Sequence, residues 1–328
     1  MSAMQDVAYV DANGIRLAVR MQGSGPPVLL VHGFPGTSYS WRHQLPVLAD
    51  AGFTAIAVDT RGYGASERPA AATQPSAVIE ADLIGVLDHL GIEAAHLVGQ
   101  DFGSMYAWNL AQRHPDRVHS VLGTVPFGGT PGPSAPSIGF AAVAERHFLH
   151  LHYFGQAAIA ERDLGGANLA DFLRRLMWAL SADGDLLSVF GWPSAGTSYL
   201  EALPEAPPLP WSWLSVEEFG TYVAAFASGG PGRELAGGLA SYRAADEDWA
   251  DARTWDGTTI DQPSLLVMGE HDPVRTFAPP DADQQRAWLT GLWGVVLIPG
   301  AGHFVQQEQP AAFNDVLLRW LRDNPVSR

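Results

Sequence analysis

The stretch HLVGQDFGSMYAWNLAQRHPDR, residues 96–117, decides the fold. A short apolar run ends in GQDFG at positions 99–103, and the residues that follow have the period of an amphipathic helix. Glycines on both sides of a polar residue allow a strained turn that raises the central side chain above a sheet. The pattern predicts a strand, a sharp turn that carries Asp101 as a nucleophile, and a helix. In the alternative interpretation Asp101 only caps that helix, a position that Asp favours.

Further apolar runs on both sides of this stretch have the length and composition of buried strands. VAYV and IRLAVR flank Asn13-Gly14, a pair that supplies the positive φ angles of a tight hairpin. PVLLVH and TAIAVD come before the turn, RVHSVLG follows it, and PSLLVMG and GVVLIPG appear only after position 262. Alternation of such runs with helical patterns predicts an α/β fold, with a mostly parallel sheet of eight strands flanked by helices.

Residues 127–248 lack the strand pattern. In this segment Pro and Gly interrupt amphipathic stretches such as NLADFLRRLMWAL and SVEEFGTYVAAFA. We expect residues 1–126 and 249–328 to form the α/β core, and 127–248 to form a helical cap inserted between strands. PGPSAPS at 131–137 is the expected linker into this cap.

The composition excludes several classes of function. The chain has 328 residues, a formal net charge of −16 and no cysteine, and all 19 of its basic residues are Arg. An acidic surface repels phosphate backbones and anionic membranes, and the lack of cysteine excludes disulfides and thiolate chemistry. The first residues include Asp6 and Asp11 rather than a long apolar core, and no run of about 18 apolar residues predicts a membrane span. We expect a cytoplasmic protein that binds neither nucleic acid nor membrane.

Two later motifs supply the partners that a nucleophile at position 101 needs. His303 lies in GAGHF, between a predicted strand and the C-terminal helix. Enzymes with an α/β fold and a nucleophile on a strand-to-helix turn present their catalytic base from this position. Asp272 lies in GEHDP, directly after PSLLVMG, and could orient His303 and stabilise its imidazolium. Because Pro273 follows it, Asp272 could also be the N-cap of a helix. Glu270 is an alternative acid, but it lies closer to the strand end.

The sequence His32-Gly33-Phe34-Pro35 follows PVLLV and predicts an oxyanion hole. A turn there can direct the backbone N–H of Phe34 to the same point as the N–H of Phe102. Pro35 would fix this turn through a peptide bond that can be cis. We also expect His32 and Pro35 to contact the substrate.

Together these motifs resemble the epoxide hydrolases of the α/β-hydrolase fold, over almost the whole chain. The match is densest in LLVHGFPGTSYSWRHQLPVLADAGFTAIAVDTRGYGASERP, in the stretch around Asp101, and in GEHDP and GAGHF. The resemblance implies hydrolysis of an epoxide to a vicinal diol without a cofactor. Asp101 would open the ring to form an alkyl-enzyme ester, and a water activated by His303 and Asp272 would then hydrolyse that ester.

The resemblance also implies two cap side chains, usually tyrosines, that donate a hydrogen bond or a proton to the alkoxide left by ring opening. ASYRA resembles the family's second-tyrosine motif and gives Tyr242 this role. HLHYFG places His150 where the first tyrosine usually stands, and a neutral or charged histidine can donate through an N–H. The competitors for this position are His147, His152 and Tyr153.

Two departures from the family pattern keep other functions open. Many members carry His-Asp-Trp where this chain has Gln100-Asp101-Phe102, so the residue after the nucleophile has no ring donor. Haloalkane dehalogenases need such ring N–H groups to hold the halide. A haloalkane or haloacid dehalogenase, which would use the same Asp nucleophile, is therefore only the runner-up enzyme. A ligand-binding protein on a degraded hydrolase scaffold is the alternative without catalysis.

The aromatic residues of the cap suggest a bulky or aromatic epoxide, although such residues more often only pack a core. We expect Tyr153 and Trp178 to contact the substrate; the other cap tryptophans considered are Trp192, Trp211 and Trp213. The expected partners are an epoxide and water, with no metal, and a homodimer is an open alternative to the monomer.

Overall fold

The computed structural model describes residues 7–326, and its centre is one sheet of eight strands. The strands are β1 (Ala8–Ala12), β2 (Ile15–Gly23), β3 (Pro27–Val31), β4 (Thr54–Asp59), β5 (Ala95–Gly99), β6 (Val118–Gly123), β7 (Ser264–Gly269) and β8 (Leu292–Ile298). Their order is β1-β2-β4-β3-β5-β6-β7-β8. Strand β2 is antiparallel to β1 and β4, and all other pairs are parallel. The predicted sheet is confirmed.

The hairpin between β1 and β2 forms at the predicted pair of residues. Asn13 and Gly14 have φ angles of 46° and 76°. Both lie in the left-handed region, which Asn and Gly tolerate better than other residues. The prediction from Asn13-Gly14 is confirmed.

Fourteen α-helices lie among the described residues. They are α1 (Leu45–Asp50), α2 (Ser76–His89), α3 (Phe102–Arg113), α4 (Pro136–Ala144), α5 (His150–Gly155), α6 (Ile159–Leu164), α7 (Leu169–Leu180), α8 (Tyr199–Ala202), α9 (Val216–Ala227), α10 (Ala236–Arg243), α11 (Ala245–Ala252), α12 (Ala282–Arg286), α13 (Val305–Glu308) and α14 (Pro310–Asp323). Within residues 7–326, none of them combines the length and the hydrophobicity that crossing a bilayer requires.

Helices cover both faces of the sheet, which explains why its central strands read as continuous apolar runs. In β3, Val28 and Leu30 pack with α1 and α14 on one face. Leu29 and Val31, which alternate with them, pack with α2 and α3 on the other face. Because the parallel strands point the same way, their carboxyl ends meet at one edge of the sheet, and the turn after β5 lies there.

Residues 124–263 connect β6 to β7 and contain helices α4 to α11 but, within the described chain, no strand. Their apolar side chains form a cluster around Phe148, Phe172 and Tyr199 that continues into the core at Phe34 and Phe304. The predicted linker at 131–137 runs into α4, and the predicted boundary at 248 falls inside α11. The division into core and cap (residues 127–248) stays a prediction, and its outermost residues, 1–6 and 327–328, lie outside the described ones.

Candidate active site

Asp101 lies on the turn between β5 and α3. Its φ of 56° and ψ of −123° are unusual for a residue with a side chain. Neighbouring glycines allow the turn, because a Cβ on Gly99 would come within 2.5 Å of the Ser104 nitrogen and a Cβ on Gly103 would overlap the backbone of Val31. The Asp101 carboxylate makes no capping hydrogen bond to α3. The geometry is therefore that of a presented side chain rather than of a helix cap.

The loop after β3 holds one oxygen of the Asp101 carboxylate. The backbone N–H of Phe34 donates to Asp101 Oδ1 at 2.9 Å. A Cβ on Gly33 would overlap the carboxylate and lie 2.6 Å from the nitrogen of Phe102, so only glycine permits this close approach. The Phe34–Pro35 peptide bond is cis. The Phe34 N–H is thus directed at the Asp101 carboxylate, as one donor of an oxyanion hole would be. The role of the Phe102 N–H as the second donor stays a prediction.

His303 lies between the two aspartates of the predicted triad. Its Nε2 is 3.4 Å from Asp101 Oδ2, and its Nδ1 is 3.2 Å from Asp272 Oδ2. Asp272 Oδ1 also accepts the Val274 N–H at 2.9 Å, so this residue both orients the histidine and caps the turn after β7. Glu270, the alternative acid, is about half exposed, with 51% of its side chain accessible. The geometry favours Asp272 as the acid.

The charge state of His303 depends on both carboxylates. Burial, the largest single effect, lowers the pKa of its imidazole, but Asp272 and Asp101 together outweigh burial and raise the pKa to about 10. At neutral pH the free site therefore holds an imidazolium between two carboxylates. Any step that removes the charge of Asp101 will lower the pKa of His303.

The loop that carries His303 is fixed by Glu308, a residue that the sequence did not point to. Glu308 Oε1 accepts the N–H of Phe304 at 2.9 Å, and Oε2 accepts the N–H groups of Gly302 at 2.9 Å and Ala182 at 2.8 Å. The N–H of His303 donates to Leu180 O at 3.0 Å. These contacts connect the loop of His303, the predicted base, to the end of α7 in the predicted cap. The only signal in the sequence was a carboxylate five residues after His303, within an otherwise uncharged segment.

Tyr242 and His150 line the cavity that contains Asp101. The ring of Tyr242 lies 4.8 Å from that of Phe102 and 5.9 Å from that of His150, measured between centroids. Burial and the charge of Asp101 raise the phenol pKa of Tyr242 well above 10. Burial lowers the pKa of His150 to about 4, against a smaller opposite effect of Asp101. At pH 7 both side chains are neutral, and each carries one hydrogen that it can donate.

The competitors of His150 lie elsewhere. The Nδ1–H of His147 donates to Phe190 O at 2.9 Å. His152 and Tyr153 line a separate groove, where the Tyr153 hydroxyl donates to Asp163 Oδ2 at 2.9 Å. Of these four side chains, only His150 lines the Asp101 cavity.

The four residues expected to contact the substrate do not line this cavity either: His32, Pro35, Tyr153 and Trp178. His32 is fully buried and hydrogen-bonds through Nδ1 to Gly33 O at 2.9 Å and through Nε2 to the Thr60 N–H at 3.1 Å. It therefore supports the loop that presents Phe34. Trp178 packs against Trp211, with 5.1 Å between ring centroids.

The Asp101 cavity has a volume of ≈ 560 Å³ and a largely aromatic lining that the sequence did not identify. Its large apolar side chains are Phe102, Met105, Trp108, Phe127, Phe140, Leu151, Trp249, Trp255 and Trp288. The indole N–H groups of Trp108 and Trp249 donate to Val125 O at 2.9 Å and Gly132 O at 2.7 Å. Neither of these two groups is therefore available to hold a departing halide.

Within residues 7–326, no group of three or more His, Asp or Glu side chains is arranged to hold a metal ion.

Comparison with known proteins gives consistent results. The family model described as alpha/beta hydrolase fold matches residues 26–310. The chain is 38% identical over 320 residues to Epoxide hydrolase A of Mycobacterium tuberculosis, covering 95% of this chain and 96% of the relative. It is 37% identical to an epoxide hydrolase of Caballeronia sordidicola, covering 95% and 92%. The crystal structure of Epoxide Hydrolase A from Mycobacterium thermoresistibile aligns with a TM-score of 0.89 at 36% identity, over 98% of this chain and 99% of that one.

Proposed function

Since this chain belongs to the epoxide hydrolases of the α/β-hydrolase fold, we propose that it converts its epoxide to a vicinal diol through a covalent ester on Asp101. One observation carries this proposal. The Asp101 carboxylate has one oxygen held by the Phe34 N–H and the other 3.4 Å from His303 Nε2. It also opens into the cavity that Tyr242 and His150 line.

In the first step, Asp101 Oδ2 attacks a carbon of the epoxide ring. The new bond joins Oδ2 to that carbon, and the bond from the carbon to the ring oxygen breaks. Oδ1 stays with the Phe34 N–H and becomes the carbonyl oxygen of the ester. The ring oxygen leaves as an alkoxide on the same substrate, a poor leaving group that needs a donor.

Tyr242 supplies that donor. Its pKa lies well above 10, so the phenol is protonated at neutral pH, and its O–H can transfer a proton to an alkoxide, which is a stronger base. His150 donates a second hydrogen bond from its neutral ring. Together the two groups stabilise the charge that develops only as the ring opens, which is where a catalytic interaction lowers the barrier.

Ester formation then prepares His303 for the second step. Asp101 loses its charge, so one of the two carboxylates that raise the pKa of His303 disappears. The proton that His303 releases replaces the one that Tyr242 gave to the alkoxide, so that both side chains are neutral and the net charge of the site is unchanged. His303, now neutral and oriented by Asp272, can take a proton from water.

In the second step, the water oxygen attacks the carbonyl carbon of the Asp101 ester. The backbone N–H groups of Phe34 and Phe102 stabilise the oxyanion that forms on Oδ1. When this intermediate collapses, the bond between the Asp101 carboxyl carbon and Oδ2 breaks. Oδ2 leaves as a hydroxyl oxygen of the diol and takes the proton that remained on the attacking water oxygen, and that water oxygen stays in the carboxylate. Asp101 and protonated His303 are then restored.

A single turnover in heavy-oxygen water tests this route. With enzyme in excess over epoxide, mass spectrometry should find one heavy oxygen in the peptide that contains Asp101 and none in the diol. The peptide that contains Asp272 serves as the internal control and should stay unlabelled. Label in the diol after one turnover would instead mean direct attack of water on the epoxide and would refute the ester.

Two variants separate the steps. His303→Gln should accumulate the alkyl-enzyme, seen as a mass increase equal to the epoxide, because ring opening needs only Asp101 and its donors. Asp101→Asn should form no adduct. If Asp101→Asn binds ligand as the wild type does while the wild type turns over none of a broad panel of epoxides, the non-catalytic alternative replaces the proposal.

A further inference from the structure

One wall of the active-site cavity is a loop with an unusual composition. This wall loop, residues 125–132, reads VPFGGTPG and contains neither helix nor strand. All eight of its residues line the cavity. A segment with so many glycines has many accessible backbone conformations, so its position must be fixed by contacts from outside the loop.

Both ends of the wall loop are held by indole rings. Trp108 Nε1 donates to Val125 O at 2.9 Å, and Trp249 Nε1 donates to Gly132 O at 2.7 Å. Trp108 lies on α3 and Trp249 on α11. These contacts leave the backbone polar groups of Phe127, in the middle of the loop, to be held by another group; its side chain lines the cavity and also packs against the core.

Gln285 holds this middle part. The Phe127 N–H donates to Gln285 Oε1 at 2.9 Å, and Gln285 Nε2 donates to Phe127 O at 3.0 Å. The side-chain amide thus pairs with both polar groups of one residue, as a neighbouring strand would. Gln285 is only 7% exposed, and it lies on α12, between β7 and β8.

The nucleophile is attached to the sheet independently of this contact. Thr124, the residue before the wall loop, donates its N–H to Ser104 Oγ at 2.8 Å, and its own Oγ1 accepts the N–H of Asp101 at 3.3 Å. Movement of Phe127 can therefore change the cavity wall without moving the Asp101 turn.

We propose that Gln285 is a positioning residue that sets which epoxide substituents the cavity accepts, because it fixes the wall at Phe127. This inference rests on the proposed function. A bulky aryl substituent needs a fixed wall to pack against and loses binding energy when the wall moves. A small alkyl epoxide that reaches Asp101 without touching Phe127 does not depend on the wall.

Steady-state kinetics with styrene oxide and 1,2-epoxypropane test the inference. In Gln285→Ala, KM for styrene oxide should rise about tenfold, because two hydrogen bonds that favour one loop position are lost. KM for 1,2-epoxypropane and kcat for both substrates should stay within about twofold of the wild type. Gln284→Ala, an exposed neighbour on the same helix, is the matched control and should keep the wild-type ratio of the two KM values.

Gln285→Glu gives a second and sharper readout. An ionised carboxylate cannot donate to Phe127 O, whereas a protonated carboxyl group offers one donor and one acceptor, as the amide does. The ratio of the two KM values should therefore return towards the wild-type ratio as pH falls. Titration of the triad acts on both substrates and cancels in this ratio.

The outcomes distinguish a failure of the positioning role of Gln285 from a failure of the proposed epoxide hydrolysis. If the wild type hydrolyses both epoxides but the KM ratio is the same in Gln285→Ala and does not change with pH in Gln285→Glu, Gln285 has no positioning role. If KM and kcat change equally for both substrates, Gln285 supports only general stability, and the inference is again overturned. If Gln285→Ala does not fold, the pH dependence in Gln285→Glu decides alone. Absence of turnover by the wild type would contradict the proposed function itself.

Discussion

Replacing Asp101 by Asn should lower the pKa of His303 by about two to three units, because the negative charge of Asp101 keeps the His303 ring protonated. The magnitude follows from the geometry. Unit charges separated by the 3.4 Å between His303 Nε2 and Asp101 Oδ2 attract by roughly 5 kcal/mol at an effective dielectric constant of about 20. Water reduces this value, since 21% of the Asp101 side chain is exposed. The pKa should therefore fall from about 10 to about 7 or 8.

The assay is an NMR titration of the His303 ring in protein with isotopically labelled histidine, with the signal assigned by its loss in His303→Gln. The control is Glu270→Gln, which removes an exposed carboxylate two residues before Asp272 that is not among the largest effects on the pKa of His303. It should leave the His303 titration unchanged. If Asp101→Asn leaves the pKa within about half a unit of the wild type, a change worth less than ~1 kcal/mol, the coupling between ester formation and activation of the base is refuted.

Three further predictions concern His150, the pH dependence of folding stability and the charge of the cavity. His150→Phe should lower the ring-opening rate about 100-fold, whereas His147→Ala should leave it unchanged; rapid-quench measurement of alkyl-enzyme formation checks this, and the reverse result would contradict the role of His150. The free energy of unfolding should fall as pH rises from 6.5 to about 10. The protonated His303 ring stabilises the folded state fully at pH values below the pKa of the unfolded chain, and this contribution is lost as the pH rises through the raised pKa of the folded state. Denaturant titrations of the wild type should show this loss, and those of His303→Gln should not. The cavity lining includes Asp248 and Asp256 but no Arg. The kcat/KM for a carboxylate-bearing epoxide should therefore be at least about tenfold lower than that for a neutral amide of the same shape, and the difference should shrink at high salt. Equal values would show that these charges do not reach the substrate.

The parts of the site that the sequence predicted are those encoded in short, continuous segments. The Asp101 turn needs small residues within two positions on each side, and the Phe34 loop needs Gly33 beside it. These steric requirements are local, so the sequence displays them. Likewise, each strand of the sheet is a single apolar run, because both faces of the sheet are covered.

The parts that the sequence could not predict are brought together only by the folded chain. Trp249, Trp255 and Trp288 lie on different segments, and nothing in their local sequence says that they face one cavity. His150 and Tyr153 are three residues apart on α5, a spacing that places both near one helix face. The family resemblance selected His150, and the packing favours the same residue, since the Tyr153 hydroxyl donates to Asp163 on α6. No periodic pattern contains that information.

Glu308 sets a condition for recombining this enzyme with its relatives. Chimeric enzymes that exchange caps assume that the catalytic base belongs to the core and the substrate pocket to the insert. Here the carboxylate of Glu308 and the N–H of His303 both hydrogen-bond to residues 180–182. A foreign cap that presents a different backbone there would displace the base even if every triad residue were retained. Crossover points should therefore keep the end of α7 together with residues 302–308 from the same parent.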